Sequence, residues 1–342
     1  MLAFFSSDSR HLYKEDIFEV MSLPVGYVVH FRYDKQWINL DEKGIENTHN
    51  QEGIIFFSVN NHLAQAEEER QIEHKSIRKA KVVKCTTSDK TGLVHYYLQL
   101  GEFVECSIEK ENPINKPPHK FLSDLNINDI KNKQWHERVS AIKSSFPNQL
   151  FLNISIENKK NETISPIFDS KDNNNYFTLS DESTYQLKIS FFDVYEENKT
   201  SESKDADKVL LEIESNKNHI EVDINKKYAV GAVKDDQNFL ITTQSLSVQS
   251  LFTSLKFLLN NNSSTEAYDF FIRVKIERVY YKTLLFGFYS LLVASGVSLM
   301  TYLARTISIK DINNWILSLL ILITFICVTF GAQMLYKAFN KK

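Results

Sequence analysis

The chain has 342 residues, with 40 Lys and Arg against 43 Asp and Glu and a formal charge of −3 at pH 7. The last 72 residues hold nine bases and two acids, which leaves residues 1–270 at −10; that sign excludes a general nucleic-acid or membrane-surface binder, whose long-range field must attract phosphate, but leaves room for a local basic site. Cys85, Cys106 and Cys327 are the only cysteines, too few for a disulfide framework or a thiol metal site and in keeping with a reducing cytoplasm.

The chain opens with a brief apolar run, Leu2 to Phe5, and no basic leader, so insertion through the C-terminal end is expected. Residues 11–22 read as a short helix, and Leu23-Pro24-Val25-Gly26 as a turn into a strand. There Tyr27, Val29, Phe31 and Tyr33 alternate with Val28, His30, Arg32 and Asp34, the period of two of a half-buried strand. Gly53 to Val59 reads as a second strand and Leu63 to Ile72 as a polar helix or lid. Arg78 to Thr87 and Leu93 to Gly101 form a hairpin, and Phe103 to Ser107 adds a strand. Four or five short strands at this spacing predict a small barrel or curled sheet of the SH3-like or OB-like kind over residues 1–110.

Pro113, Pro117 and Pro118 interrupt the pattern, so 111–146 is predicted as a linker and one helix over Ile127 to Ser145, with Trp135, Val139 and Ile142 on its apolar stripe. Short strands return from Leu150 to Thr243, separated by polar loops, which predicts a β-sandwich over 147–281. Ser247 to Asn260 reads as a helix and Phe271 to Val279 as a strand that runs almost directly into the next segment.

Two stretches, 283–304 and 315–336, contain no Asp, Glu, Lys, Arg, His or Pro. Each has about the 20 apolar residues that cross a hydrocarbon core of roughly 30 Å, which predicts two antiparallel transmembrane helices within 282–338. Seven bases flank the pair against two in the connecting loop, a bias that places both termini, including the tail 339–342, in the cytoplasm. The fold class expected is therefore a mainly β region followed by an α-helical membrane hairpin, in contact with a lipid bilayer.

No Gly-rich phosphate loop, nucleophile elbow, HExxH pair or clustered CxxC occurs, so the reading is of a non-enzyme with no cofactor and no metal. The histidines are scattered without ligand spacing. Lys75, Arg78, Lys79, Lys81 and Lys84 fall within ten residues, with Arg32 on another strand; such a cluster can gather phosphates while Tyr96 and Tyr97 offer stacking faces. Strict alternation sends Arg78 and Lys84 to one face and Lys79 and Lys81 to the other, and the competing reading is an edge strand kept from pairing by lysines. In the first predicted span Gly287, Ser290, Ala294, Ser298 and Thr301 share one helix face, suited to close helix packing or to a weakly polar pore lining.

A β-rich body on a two-helix anchor resembles the membrane effectors of bacterial anti-phage defence, with the DNA-gated channel effector of the Hailong type the nearest in order of parts. The resemblance rests on the strand from Val25 to Tyr33, the basic strand near Arg78 and the hairpin from Thr283 to Tyr336. It implies a multi-pass protein of the bacterial inner membrane, a homo-oligomer with a tetramer as the expected count, and an ion channel gated by a nucleotide or oligonucleotide from a partner nucleotidyltransferase. The alternative is a non-conducting membrane tether whose β-domains bind a cytoplasmic protein.

Overall fold

The computed structural model describes residues 1–7, 11–60, 72–88, 90–108, 120–146, 150–193, 209–223, 228–229, 236–261, 268–279, 287–291, 293–298, 301–302, 322 and 329. In chain order the first elements are β1 (Leu2–Ser7), α1 (His11–Ser22), β2 (Val28–Asp34), β3 (Ile38–Asn39), α2 (Glu42–Glu46), β4 (Glu52–Asn60), β5 (Ile72–Ser88), β6 (Leu93–Ile108), β7 (Leu122–Asp124), β8 (Ile127–Asn132) and α3 (Trp135–Ile142). There follow β9 (Leu150–Glu157), β10 (Ile167–Asp169), β11 (Asn174–Ser180), β12 (Thr184–Asp193), β13 (Val209–Ser215), β14 (Ile220–Val222), β15 (Tyr228–Ala229), β16 (Asp236–Thr243), β17 (Ser250–Asn261) and β18 (Tyr268–Glu277).

These strands make three sheets. An eight-stranded sheet runs β2-β6-β5-β4-β1-β7-β3, with β8 also on β6; a six-stranded sheet runs β10-β11-β18-β17-β13-β15; a four-stranded sheet runs β14-β16-β12-β9. The short apolar run at the start of the chain is a central strand: β1 lies parallel to β4 in the register Leu2↔Gly53 to Ser7↔Ser58, and all six of its residues are buried. Burial on both faces explains why β1 and β4 read as continuous apolar runs rather than alternating ones. Gly53 permits the pairing, since a Cβ there would stand 2.6 Å from the Leu2 carbonyl oxygen.

Where four or five strands in a small barrel or curled sheet are expected over 1–110, the strands form one eight-stranded sheet that extends to Asn132. One of its faces carries a core of Ala3, Phe5, Ile54, Phe56, Val104 and Leu125. Into the other face, along β6, point Val94, Tyr96, Leu98 and Leu100, alternating with partly exposed neighbours. The expected helix over Ile127 to Ser145 is also corrected: 127–132 form β8, paired with the end of β6, and α3 starts only at Trp135. The Glu137 carboxylate accepts the Gln134 N–H at 3.0 Å and so fixes that start.

Ser247 to Asn260, expected as a helix, lies mainly in β17, registered against β13 from Ser215↔Leu255 to Val209↔Asn261. Leu255 and Phe257 are buried there while Ser254 and Lys256 are exposed, a strand period that neighbouring strands impose over the local pattern. The polar helix or lid expected before Ile72 falls on 61–71, outside the described residues.

The membrane hairpin is the main correction. Among the described residues no helix is long and apolar enough to cross a membrane. In 283–304 helix is described only at 287–291, 293–298 and 301–302, and in 315–336 only at Leu322 and Thr329; the rest of both stretches lies outside the described residues. A span needs about 20 continuous helical residues, and no such run lies within the described residues. The transmembrane helices, and the multi-pass inner-membrane localisation and ion channel that rested on them, are not supported by the described residues.

By contact density the chain divides into two compact units, Met1–Gln244 with Phe252–Ile276, and Ser245–Leu251 with Glu277–Lys342. The basic face and the cleft described below belong to the first. In the second, the Arg278 N–H donates to the Gln249 carbonyl at 3.0 Å.

Candidate functional site

One irregularity in β5 decides where two of its basic side chains go. Against β6 the register shifts between Arg78 and Ala80, where the extra residue lies in β6 between Leu100 and Phe103, and again between Val82 and Lys84, where it lies in β5. A bulge adds one residue to one strand and so reverses the facing of everything beyond it. Lys81 stands opposite Gln99 and Lys84 opposite Tyr97, so both share a face that strict alternation would have denied them.

Across β6 the same rows continue into β2. Tyr97 pairs with His30, and His95 with Arg32. The face therefore carries Lys84–Tyr97–His30 as one row and Thr86–His95–Arg32 as the next. His30 and Arg32 are exposed, while His95, Tyr97 and Lys84 are half-buried.

The rings on this face are stacked. His30 lies on Tyr97 with centroids 4.8 Å apart and on His95 at 5.1 Å, the latter pair 5° from parallel. Phe168 of β10 closes on Tyr97 at 5.8 Å. Nε2 of His30 and Nδ1 of His95 are 2.9 Å apart, so one ring donates to the other and the bond needs at least one neutral imidazole. Burial first, then the His95 and Arg32 charges, lower the pKa of His30.

Lys84 ties this face to the turn between β10 and β11. Its ammonium donates to the Ser170 carbonyl at 2.8 Å and to Oδ1 of Asn173 at 2.7 Å, and it sits 5.4 Å from the Tyr97 ring centroid. Asn175 docks the next strand on β2, accepting the Val28 N–H and donating to the Val28 carbonyl, both at 2.8 Å.

Of the other residues singled out by sequence, Arg78 and Tyr96 are in the core. Arg78 is 1% exposed and donates to the carbonyls of Gly101 at 2.5 Å, Val20 at 2.9 Å and Leu23 at 2.6 Å, with Phe103 under the guanidinium at 4.3 Å. Burial pushes its pKa down to about 9. It closes the C-terminal end of α1, where carbonyls lack helical partners and the dipole favours a cation. Tyr96 is fully buried, edge-on to Phe4 at 5.6 Å.

Lys75 donates to the Ala141 carbonyl at 2.6 Å and lies 3.5 Å from Glu73, and Lys79 donates to Oδ1 of Asn132 at 3.3 Å. Both reach toward α3 or β8 rather than toward the aromatic rows. Gly287, Ser290, Ala294, Ser298 and Thr301 lie in the helical pieces of the second unit. The hydroxyls of Ser298 and Thr301 donate to Ala294 and Val297 carbonyls, both at 2.9 Å, one turn back.

The residues sequence reasoning passed over are His30 and His95, and it weighted Tyr96 equally with Tyr97. The signal was present in the period of two, since His30 and Arg32 alternate with the apolar Val29 and Phe31, and His95 and Tyr97 with Val94 and Leu98. Among the described residues no group of His, Cys, Asp and Glu could hold a metal ion.

A cleft of about 290 Å³ adjoins the face through His30 and is lined by Phe18, Glu19, Ser22, Tyr27, Asn175, Phe270, Phe271 and Arg273 among others. Tyr27 is pushed up to about 12 by burial and then by Glu19, against the Asn175 hydrogen bond and the Arg273 charge.

No family model matches the chain, and no curated protein matches it. Among solved structures it is similar to that of the Vibrio cholerae VesB protease, with a TM-score of 0.20 and 5% identity over 74% of this chain and 100% of that one. A likeness at that level carries no argument about fold or activity.

Proposed function

We propose that this protein binds a nucleotide or single-stranded oligonucleotide on the face of β2, β6 and β5 that carries Tyr97, His30 and His95, and that it acts as a sensor of that ligand. The observation that carries the reading is the placement of Lys81, Lys84 and Arg32 around the stacked rings of Tyr97, His30 and His95. Cations gather phosphates, and aromatic rings on a sheet offer platforms for bases whatever their sequence. In a region of formal charge −10 a basic patch confines an anionic ligand to one place.

The test is fluorescence polarisation of labelled 10-nucleotide DNA and RNA single strands with the full-length chain at several salt concentrations. Binding that weakens linearly in log–log salt and is lost in Lys84→Glu and Arg32→Glu supports the reading. Absence of binding at low salt, or binding untouched by both variants, overturns it.

A further inference from the structure

The cleft beside the basic face holds a polar group that the fold leaves unused. Ser22 is 1% exposed, its Oγ has no hydrogen-bond partner among the described residues, and it lines the cleft. A buried hydroxyl without a partner costs free energy that natural structures seldom leave standing unless a ligand or water meets it. Glu19 lines the same cleft one helical turn before Ser22, so both side chains lie on one face of α1.

Opposite chemistries complete the cleft. Phe18, Phe270 and Phe271 supply apolar and π surface, His30 joins the cleft to the stacked rows, and Arg273, which is exposed, supplies a cation. The volume of about 290 Å³ is at the lower end for small-ligand sites, which start at about 300 Å³; it suits a mononucleotide rather than a larger cofactor.

We infer that the cleft is a base pocket, in which Glu19 and Ser22 read the edge of a planar heterocycle held between aromatic walls while Arg273 faces its phosphate. This rests on the reading of the adjacent face as a nucleotide site. A carboxylate only accepts hydrogen bonds, so Glu19 favours the exocyclic amino groups of adenine, cytosine and guanine. Uracil and thymine have no exocyclic amino group; their single N3–H donor is flanked by two carbonyl oxygens, which a carboxylate meets less favourably. A good pair of this kind discriminates by roughly tenfold or more.

The experiment is calorimetric titration of the full-length chain with AMP, CMP, GMP, UMP and TMP, repeated in Glu19→Gln and Ser22→Ala, with thermal melts to verify folding. The expected result is roughly tenfold tighter binding of the three amino-bearing nucleotides. In Glu19→Gln, whose amide can also donate, that preference collapses while some affinity survives; a merely structural role for Glu19 would change affinity without changing preference. Equal affinity for all five nucleotides, or a preference unchanged in Glu19→Gln, overturns the base pocket. If oligonucleotides still bind and lose affinity in Lys84→Glu, the basic face stands without the pocket; if no nucleotide binds in any form, both fall.

Discussion

The imidazoles of His30 and His95 lie parallel and 2.9 Å apart at Nε2 and Nδ1, joined by a hydrogen bond that cannot survive a second proton on the pair. The pKa of His30 is already lowered by burial, by His95 and by Arg32. An anion on this face supplies the charge that favours protonation. Affinity for an anionic ligand is therefore expected to rise as pH falls below about 6.5, the ordinary histidine value, with proton uptake on binding. Calorimetry in two buffers of different ionisation enthalpy measures that uptake, and His30→Gln should abolish most of it.

The two adjacent tyrosines separate the proposed ligand face from the core. Tyr97→Ala removes a stacking surface and should weaken single-strand binding by about 10- to 100-fold, from roughly 1–3 kcal/mol per stacked base. Tyr96→Phe keeps the ring against Phe4 and should leave binding within twofold. Equal losses from both variants would show that the face acts only through the fold.

Arg78 behaves as a structural cation. Replacing it by Ala leaves the carbonyls of Val20, Leu23 and Gly101 without their donor, and removes a guanidinium stacked on Phe103. The expected loss is about 3 kcal/mol or more of stability, read by urea denaturation. Ligand affinity measured on the fraction still folded should be unchanged, in contrast to Lys84→Glu.

Asp16 on α1 is pushed up to about 7, first by burial and then by Glu19, with Arg32 opposing. Its folded value lies above its unfolded one, so the folded state holds the proton more tightly. The contribution is fully present below about pH 4, declines as pH rises, and is lost above about 7. Asp16→Asn should flatten that part of the stability profile, measured as urea midpoints between pH 4.5 and 8.

How far the fold could be read from sequence differs strand by strand. The alternation in β2 and β6 was legible because each has one buried and one open face, and a period of two records that directly. β1 was not, because a six-residue strand buried on both sides has no period and looks like any short apolar run. β8 and β17 were read as helices because their apolar spacing admits both periods, and only pairing with β6 and with β13 and β18 decides between them.

The basic site follows the same division. Sequence by itself determined which residues were available: a cluster of lysines in an acidic chain, two tyrosines beside it, and alternating polar positions on β2. It also set an apolar C-terminal composition, from which a membrane hairpin is expected; no helix among the described residues is long and apolar enough to cross a membrane. Tertiary structure alone decided which side chains meet. The bulge in β5 between Val82 and Lys84 put Lys84 on the face of Lys81 and away from that of Arg78, and a bulge arises from pairing between strands, so no local pattern announces it. The stack of Tyr97, His30 and His95 likewise joins residues some 65 positions apart, brought together by register rather than by proximity along the chain.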